Sequence, residues 1–321
     1  MAISITAKDL ARMRGQLFFE GDEQRSKLTR FWLLLPLSAV IASAGVVGDS
    51  TATVIGAMIV APLMTPILGI ALAAALADRP NLLRCLALVV LGACAVIAIG
   101  YVVGLLTSNP VLAADNTQVA GRVSPKVVDL VAALATGAVG AVALCRSDIS
   151  DTLPGVAIAI SLVPPLAVVG LTLESGSTSE AAGALLLFTA NVTAILAMGI
   201  AVMAIYRVPS HAPAGRRTAL HVAEVVAAMV VLVAVPLVAT STQVSTTERR
   251  ERDVRSVASD WADDSGWEVV SVSTQGSTIV VRTSGRLPAP APSSLRSALD
   301  AEGLTGFDVD LEQIPSTTTH L

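Results

Sequence analysis

The chain has 321 residues, of which 53% are hydrophobic and only 14% charged, with a mean hydropathy of +0.71. Soluble domains carry about a quarter charged residues, so this composition excludes an ordinary soluble protein and points to one embedded in a bilayer. The formal net charge of −4 says little by itself, because the charges are segregated by segment, and no nucleic-acid partner is expected.

Aromatic residues make up only 3%, and the bulk is Ala, Val, Leu, Ile and Gly. Small side chains let helices approach closely in lipid. Cys85, Cys94 and Cys145 lie in or beside apolar runs without metal-type spacing and are expected to be buried thiols.

Residues 1–30 are mixed and basic. Thr6 and Asp9 form a capping-box pattern. Leu10, Met13 and Leu17 share one helical face, followed by Phe18 and Phe19. Two readings stand side by side: a helix lying on the membrane surface, or one packed on the protein's own inner face. With some thirty polar residues before the first apolar run, that run is expected to be an uncleaved span.

Seven apolar runs follow, at residues 31–47, 51–77, 82–106, 127–145, 153–173, 181–206 and 219–239. A spanning helix needs about 20 apolar residues, so seven spans are expected. The second run contains Pro62 and Pro66, and the fifth contains Pro164 and Pro165. Asn191 sits in the middle of the sixth, and Glu224 near the start of the seventh.

Lys and Arg in the short loops set orientation. Counted on alternate sides, Lys8, Arg12, Arg14, Arg25, Lys27, Arg30, Arg79, Arg84, Arg146, Arg207, Arg216 and Arg217 oppose only Arg122 and Lys126. The N-terminus is therefore expected in the cytoplasm and, after seven spans, the tail outside. Arg249, Arg250, Arg252 and Arg255 disagree, but acids interleave with them and long domains cross regardless of charge.

The tail reads as a helix over 248–264, strands over 267–273 and 278–283 joined across Gln275 and Gly276, a proline-rich linker over 288–292, a helix over 293–302 closed by Gly303, and a half-buried strand carrying Phe307, Val309 and Leu311. This is a small αββαβ domain without a nucleophile, base or ligand cluster.

Two stretches repeat one pattern: DSTATVIGAMIVAP at 49–62 and DTLPGVAIAISLVP at 151–164, 102 positions apart. An acid opens each run and a proline follows thirteen residues on. Proline removes a donor and frees the carbonyl one turn back. At membrane depth such carbonyls are tolerated only against protein or a wet cavity. Paired, proline-interrupted runs in two halves are the sequence pointer to a transporter site. Three spans per half would insert the halves oppositely, giving a 3+3 inverted repeat plus one helix.

The expected divisions are an N-terminal segment 1–30, a first three-helix repeat 31–107, an external loop 108–126, a second repeat 127–206, a loop 207–218, a seventh helix 219–240 and the soluble domain 246–314. The candidate ion- or solute-binding residues are Asp49, Ser50, Pro62, Thr65, Pro66, Asp151, Thr152, Ser161, Pro164, Pro165, Asn191 and Glu224. Freed carbonyls around 58–61 and 160–163 would join them. Each has a plainer reading: prolines as kinks, Asp49 and Asp151 as helix N-caps, Asn191 as an interhelical hydrogen bond, and Glu224 as snorkelling or pairing with Arg216 or His221.

The stretch from Asp49 to Leu72, with Arg30-Phe-Trp-Leu-Leu-Leu and Ile41-Ala-Ser-Ala-Gly-Val before it, resembles the bacterial and archaeal family called domain of unknown function 389. Val163-Pro-Pro-Leu-Ala and Asn191-Val-Thr-Ala-Ile look like that family's second half, so the resemblance covers about 24–206. It implies a polytopic protein of a prokaryotic plasma membrane, with no established substrate, catalytic residue or cofactor, and is silent on the tail.

The expected function is a gradient-driven carrier or channel for an ion or small polar solute, acting where runs two and five meet. No cofactor, metal or enzymatic step is expected, and a homo-oligomer in the lipid bilayer is. The alternative is a membrane scaffold or sensor that oligomerises or binds a partner through its αββαβ domain.

Overall fold

A computed structural model describes residues 5–107, 109–146, 162–208, 253–263, 265–275, 278–305 and 308–315. The chain divides into two compact units, Met1–Ser241 and Thr242–Leu321, each with its own hydrophobic core.

The first unit is helical: α1 (Ala7–Leu17), α2 (Gln24–Val47), α3 (Thr51–Val60), α4 (Met64–Leu76), α5 (Arg79–Leu105), α6 (Thr117–Val123), α7 (Val127–Cys145), α8 (Val163–Glu174) and α9 (Thr178–Ile205). Among the described residues, α2, α5, α7 and α9 are long and apolar enough to cross a membrane. The pair α3 and α4, bent by 48°, makes a fifth crossing if taken as one broken span. These helices fit a membrane-embedded protein. The count of seven expected spans is not reached: in the fifth run, 153–173, the described part is the 12-residue α8, and residues 153–161 and the whole seventh run, 219–239, lie outside the described residues.

The outer surface is apolar where that of a soluble bundle would be polar. Leu83, Leu91 and Val128 are 63%, 56% and 67% exposed, giving α5 and α7 apolar outer faces suited to lipid tails. The centre is filled by α4 and α8. Every residue of α4 from Pro66 to Leu76 is buried, as is every residue of α8 from Val163 to Thr172. A helix apolar on all sides belongs inside a bundle, and α4 packs against α5 and α9, as does α8.

Glycine permits the tightest crossing. Gly170 of α8 rests on the Ile97 carbonyl and the Tyr101 amide of α5, and Gly100 of α5 rests on the Ala167 carbonyl of α8. Backbones meet this closely only where no Cβ intervenes. Cys85 and Cys145 are buried as expected, but Cys94 is exposed, because its position on α5 falls on the outward stripe.

The N-terminal segment packs on protein. The Thr6 hydroxyl accepts the Asp9 N–H at 3.2 Å, while the Asp9 carboxylate accepts the Thr6 hydroxyl at 2.6 Å and the Thr6 N–H at 3.0 Å, the hydroxyl bond first holding the Asp9 carboxyl below its ordinary range. Met13, Leu17, Phe18 and Phe19 are all buried in the main core, and α1 lies against α4 and α7. The apolar face of α1 is thus covered by the protein itself.

The second unit contains α10 (residues 253–263), β1 (Trp267–Gln275), β2 (Thr278–Gly285), α11 (Pro292–Ala301) and β3 (Asp308–Pro315). Its order is the αββαβ arrangement expected from the pattern. β1 pairs antiparallel with β2, and β2 pairs parallel with β3 across the α11 crossover. Val254, Ala258 and Trp261 on α10 and Leu295 and Leu299 on α11 cover one face of the sheet. Both buried indoles keep partners: Trp261 donates to the Ser294 hydroxyl at 2.7 Å and Trp267 to the Arg286 carbonyl at 2.8 Å.

Candidate functional site at the broken second span

Proline at 62 ends α3. It has no N–H to offer the Met58 carbonyl, and Pro66 has none for the Pro62 carbonyl. Both carbonyls are picked up one residue short: Ala61 donates to Met58 at 3.3 Å, and Thr65 donates to Pro62 at 3.3 Å. These three-residue bonds tighten the chain on each side of the break. The expected release of the Met58 carbonyl therefore does not occur, because Ala61 turns back to satisfy it. Beyond the break, α4 starts at Met64, with Leu63 at its N-cap and no side-chain cap.

A cleft of about 460 Å³ opens at this point. Ile59, Val60, Pro62 and Thr65 form one wall, and Gln16, Lys27 and Arg30 contribute polar groups from the N-terminal segment and α2. Lys27 is already engaged. Its ammonium donates to the carbonyls of Gly15 and Phe18, the latter at 3.2 Å, and lies 3.6 Å from Glu23. A cation over the last carbonyls of α1 complements that helix's dipole. On the far side of the same segment, Arg14 pairs with Asp78 at 3.3 Å and Glu20 at 3.5 Å, and Arg12 donates to the Leu144 carbonyl at 2.8 Å.

Asp49 and Ser50 sit at the other end of α3. Ten helical residues rise about 15 Å, so the structure does not bring them to the break. Ser50, rather than Asp49, caps α3: its hydroxyl accepts the Thr53 N–H at 3.3 Å. Asp49 adopts a left-handed backbone, with φ at 47°, which Asp tolerates better than most residues. Its carboxylate accepts the Thr117 hydroxyl at 2.7 Å and the Gln118 N–H at 3.0 Å. The Thr117 bond holds this carboxyl below its ordinary range. The acid therefore caps the first turn of α6 and not its own helix. Gln118 also donates to the Thr51 hydroxyl at 2.8 Å, and the buried Asn116 amide to the Val46 carbonyl at 2.7 Å.

Pro164 and Pro165 fall in the first turn of α8, where a missing donor leaves nothing unpaired, and both are buried. Pro66 is buried in the first turn of α4. Asn191 lies within α9, which packs on both α4 and α8, and is 1% exposed. Asp151, Thr152, Ser161 and Glu224 lie outside the described residues. Of the expected set, Pro62 and Thr65 therefore share the cleft, Pro66 adjoins it along the chain, and Asp49 and Ser50 form a separate group.

Sequence reasoning missed Asn116, Thr117 and Gln118 by treating 108–126 as plain loop. Asn116 followed by a short polar turn was a helix-start signal: its side chain accepts the Val119 N–H at 3.0 Å. Gln16 and Arg30 carried no local signal, since only tertiary packing places them at the break.

The fold and the broken span define a helical membrane-embedded protein with a small α+β appendage. Residues 58–197 match the family model described as Domain of unknown function (DUF389), so the likeness seen in the Asp49–Leu72 stretch holds across the central bundle. The uncharacterized protein MJ0678 of Methanocaldococcus jannaschii is 33% identical over 174 residues, 54% of this chain and 53% of the relative. The chain spans about half the length of the curated relative it matches. No solved structure matches.

Proposed function

We propose that the protein is a gradient-driven carrier or channel for an ion or small polar solute, with its path between α4 and α8. One observation carries this reading: two short helices, each with proline in its first turn, are buried within a bundle of longer apolar helices, both packed against α5 and α9. Short internal half-helices of this kind present polar termini at membrane depth, where transporters hold their cargo. The N-terminus lies in the cytoplasm and the α+β unit outside, following the bias of basic loops.

One sequence offset shared by two helix crossings supports it. The shift of 102 positions that relates Asp49 to Asp151 also carries Ile97 to Gly199 and Gly170 to Leu68. Gly170 meets Ile97 where α8 crosses α5, and Gly199 meets Leu68 where α9 crosses α4. Each half thus offers its short helix to the long helix of the other. With three spans per half, the halves would insert oppositely.

The test uses the full chain in proteoliposomes, with Na⁺, K⁺, chloride and phosphate gradients applied singly. Wild type dissipates at least one gradient faster than protein-free vesicles, and Pro62→Ala, which restores the missing donor, slows that flux at least tenfold. Absence of flux for every gradient, or equal flux in the variant, defeats the proposal.

A second reading rests on the α+β unit. In the order β1-β2-β3, both outer strands keep an unpaired edge among the described residues, the arrangement that permits strand addition by a partner or a second copy. Deleting 245–321 should then abolish the oligomer. A carrier would keep its flux without this unit.

A further inference from the structure

We infer that the N-terminal end of α2 holds the headgroup of an anionic phospholipid, with Arg30 as the phosphate ligand. Two depressions meet there. One, of about 580 Å³, is bounded by Ser26, Thr29, Arg30, Leu33 and Leu34. The other is the cleft of about 460 Å³ at the Pro62 break, and Arg30 and Leu34 line both. Arg30 stands where they join. It is exposed, and among the described residues its guanidinium makes no ion pair or hydrogen bond.

The groove divides by polarity along α2. The Ser26 and Thr29 hydroxyls lie on the side toward the start of the helix, while the Lys27 ammonium is engaged by carbonyls and by Glu23 at 3.6 Å, leaving Arg30 as the cation available to an anion. Below Arg30 the surface is apolar and open: Leu33 is 60% exposed, Ile59 54% and Val60 38%. A planar guanidinium fork matches two oxygens of a phosphodiester. A free phosphate would use only the polar part, whereas an acyl chain covers the exposed Leu33, Ile59 and Val60 as well. Charge at the top and apolar surface beneath thus select a lipid with an anionic head. This assignment concerns the outer surface of the bundle and stands whether or not solute passes between α4 and α8.

The experiment takes the purified full-length protein from nanodiscs of equal phosphatidylglycerol and phosphatidylcholine, and measures the lipids it retains by native mass spectrometry. Wild type is expected to retain phosphatidylglycerol preferentially. Arg30→Gln should lose about fivefold of that preference, the factor expected of one basic side chain at an anionic surface. Arg84→Gln, an exposed arginine outside the groove, should retain the wild-type preference. No preference in wild type, an unchanged preference in R30Q, or an equal loss in R84Q overturns the assignment. Displacement of the lipid by excess inorganic phosphate would also overturn it, showing that a free anion is the ligand.

Discussion

The Asp49 carboxylate accepts the Thr117 hydroxyl at 2.7 Å and so ties the turn between α2 and α3 to α6, across 68 positions of chain. The acid that opens the repeated motif is thereby a fastener for the 108–126 loop, remote from the proline break. Charge on a carboxylate that accepts an N–H at a helix start is stabilising there.

Replacing Asp49 with Asn should loosen this loop without moving the break. Because the Asp49 carboxyl is held below its ordinary range, its contribution is present above an unfolded-state value of about 3.9 and is lost as pH falls through the lower folded-state value. Hydrogen exchange at the Gln118 amide reads both effects: protection should drop in D49N near neutral pH, and in wild type only under strong acid. Full protection of Gln118 in D49N would show that the fastener is dispensable.

Gly170→Ala should destabilise the bundle by about 1–3 kcal/mol. The atoms that a Cβ would strike are backbone atoms of Ile97, Gly100 and Tyr101, which cannot swing aside as a side chain does. Gly121→Ala meets nothing within 4 Å and serves as the comparison. Thermal unfolding in detergent should separate the two, and similar midpoints would mean that α5 and α8 cross less tightly than described.

Apolar burial, rather than charge, should hold α1 in place. Arg14 pairs with Asp78 and Glu20, but its side chain is 42% exposed, so Arg14→Gln should cost only about 0.2–1 kcal/mol. Met13 is fully buried, and Met13→Ala should cost about 2–5 kcal/mol. Limited chymotrypsin cleavage at Phe18 and Phe19, both buried, reports release of the segment. Faster cleavage in the arginine variant than in the methionine variant would reverse this ranking.

Much of the architecture was legible in local pattern. The run at 127–145 coincides with α7, and the alternation in the tail anticipated β1, β2 and the helix closed by Gly303, whose φ is +74°. These succeed because hydrophobic period, proline and glycine act through neighbours in sequence. The site was only half legible. Pro62 marked the break, but the bond from Ala61 back to Met58, three residues earlier, satisfied a carbonyl that proline chemistry alone would leave free. Asp49 looked like a cap for the helix after it and is a cap for a helix far along the chain.

By itself the sequence determined the bilayer as solvent, the positions where helices must stop, and the αββαβ order of the tail, since each follows from side-chain polarity or backbone freedom at adjacent positions. The tertiary structure decided which helices lie at the centre, which face of α1 is covered and which residues meet at the break. Those outcomes depend on packing between segments tens of residues apart, where small residues such as Gly170 admit a neighbour's backbone and larger ones refuse it.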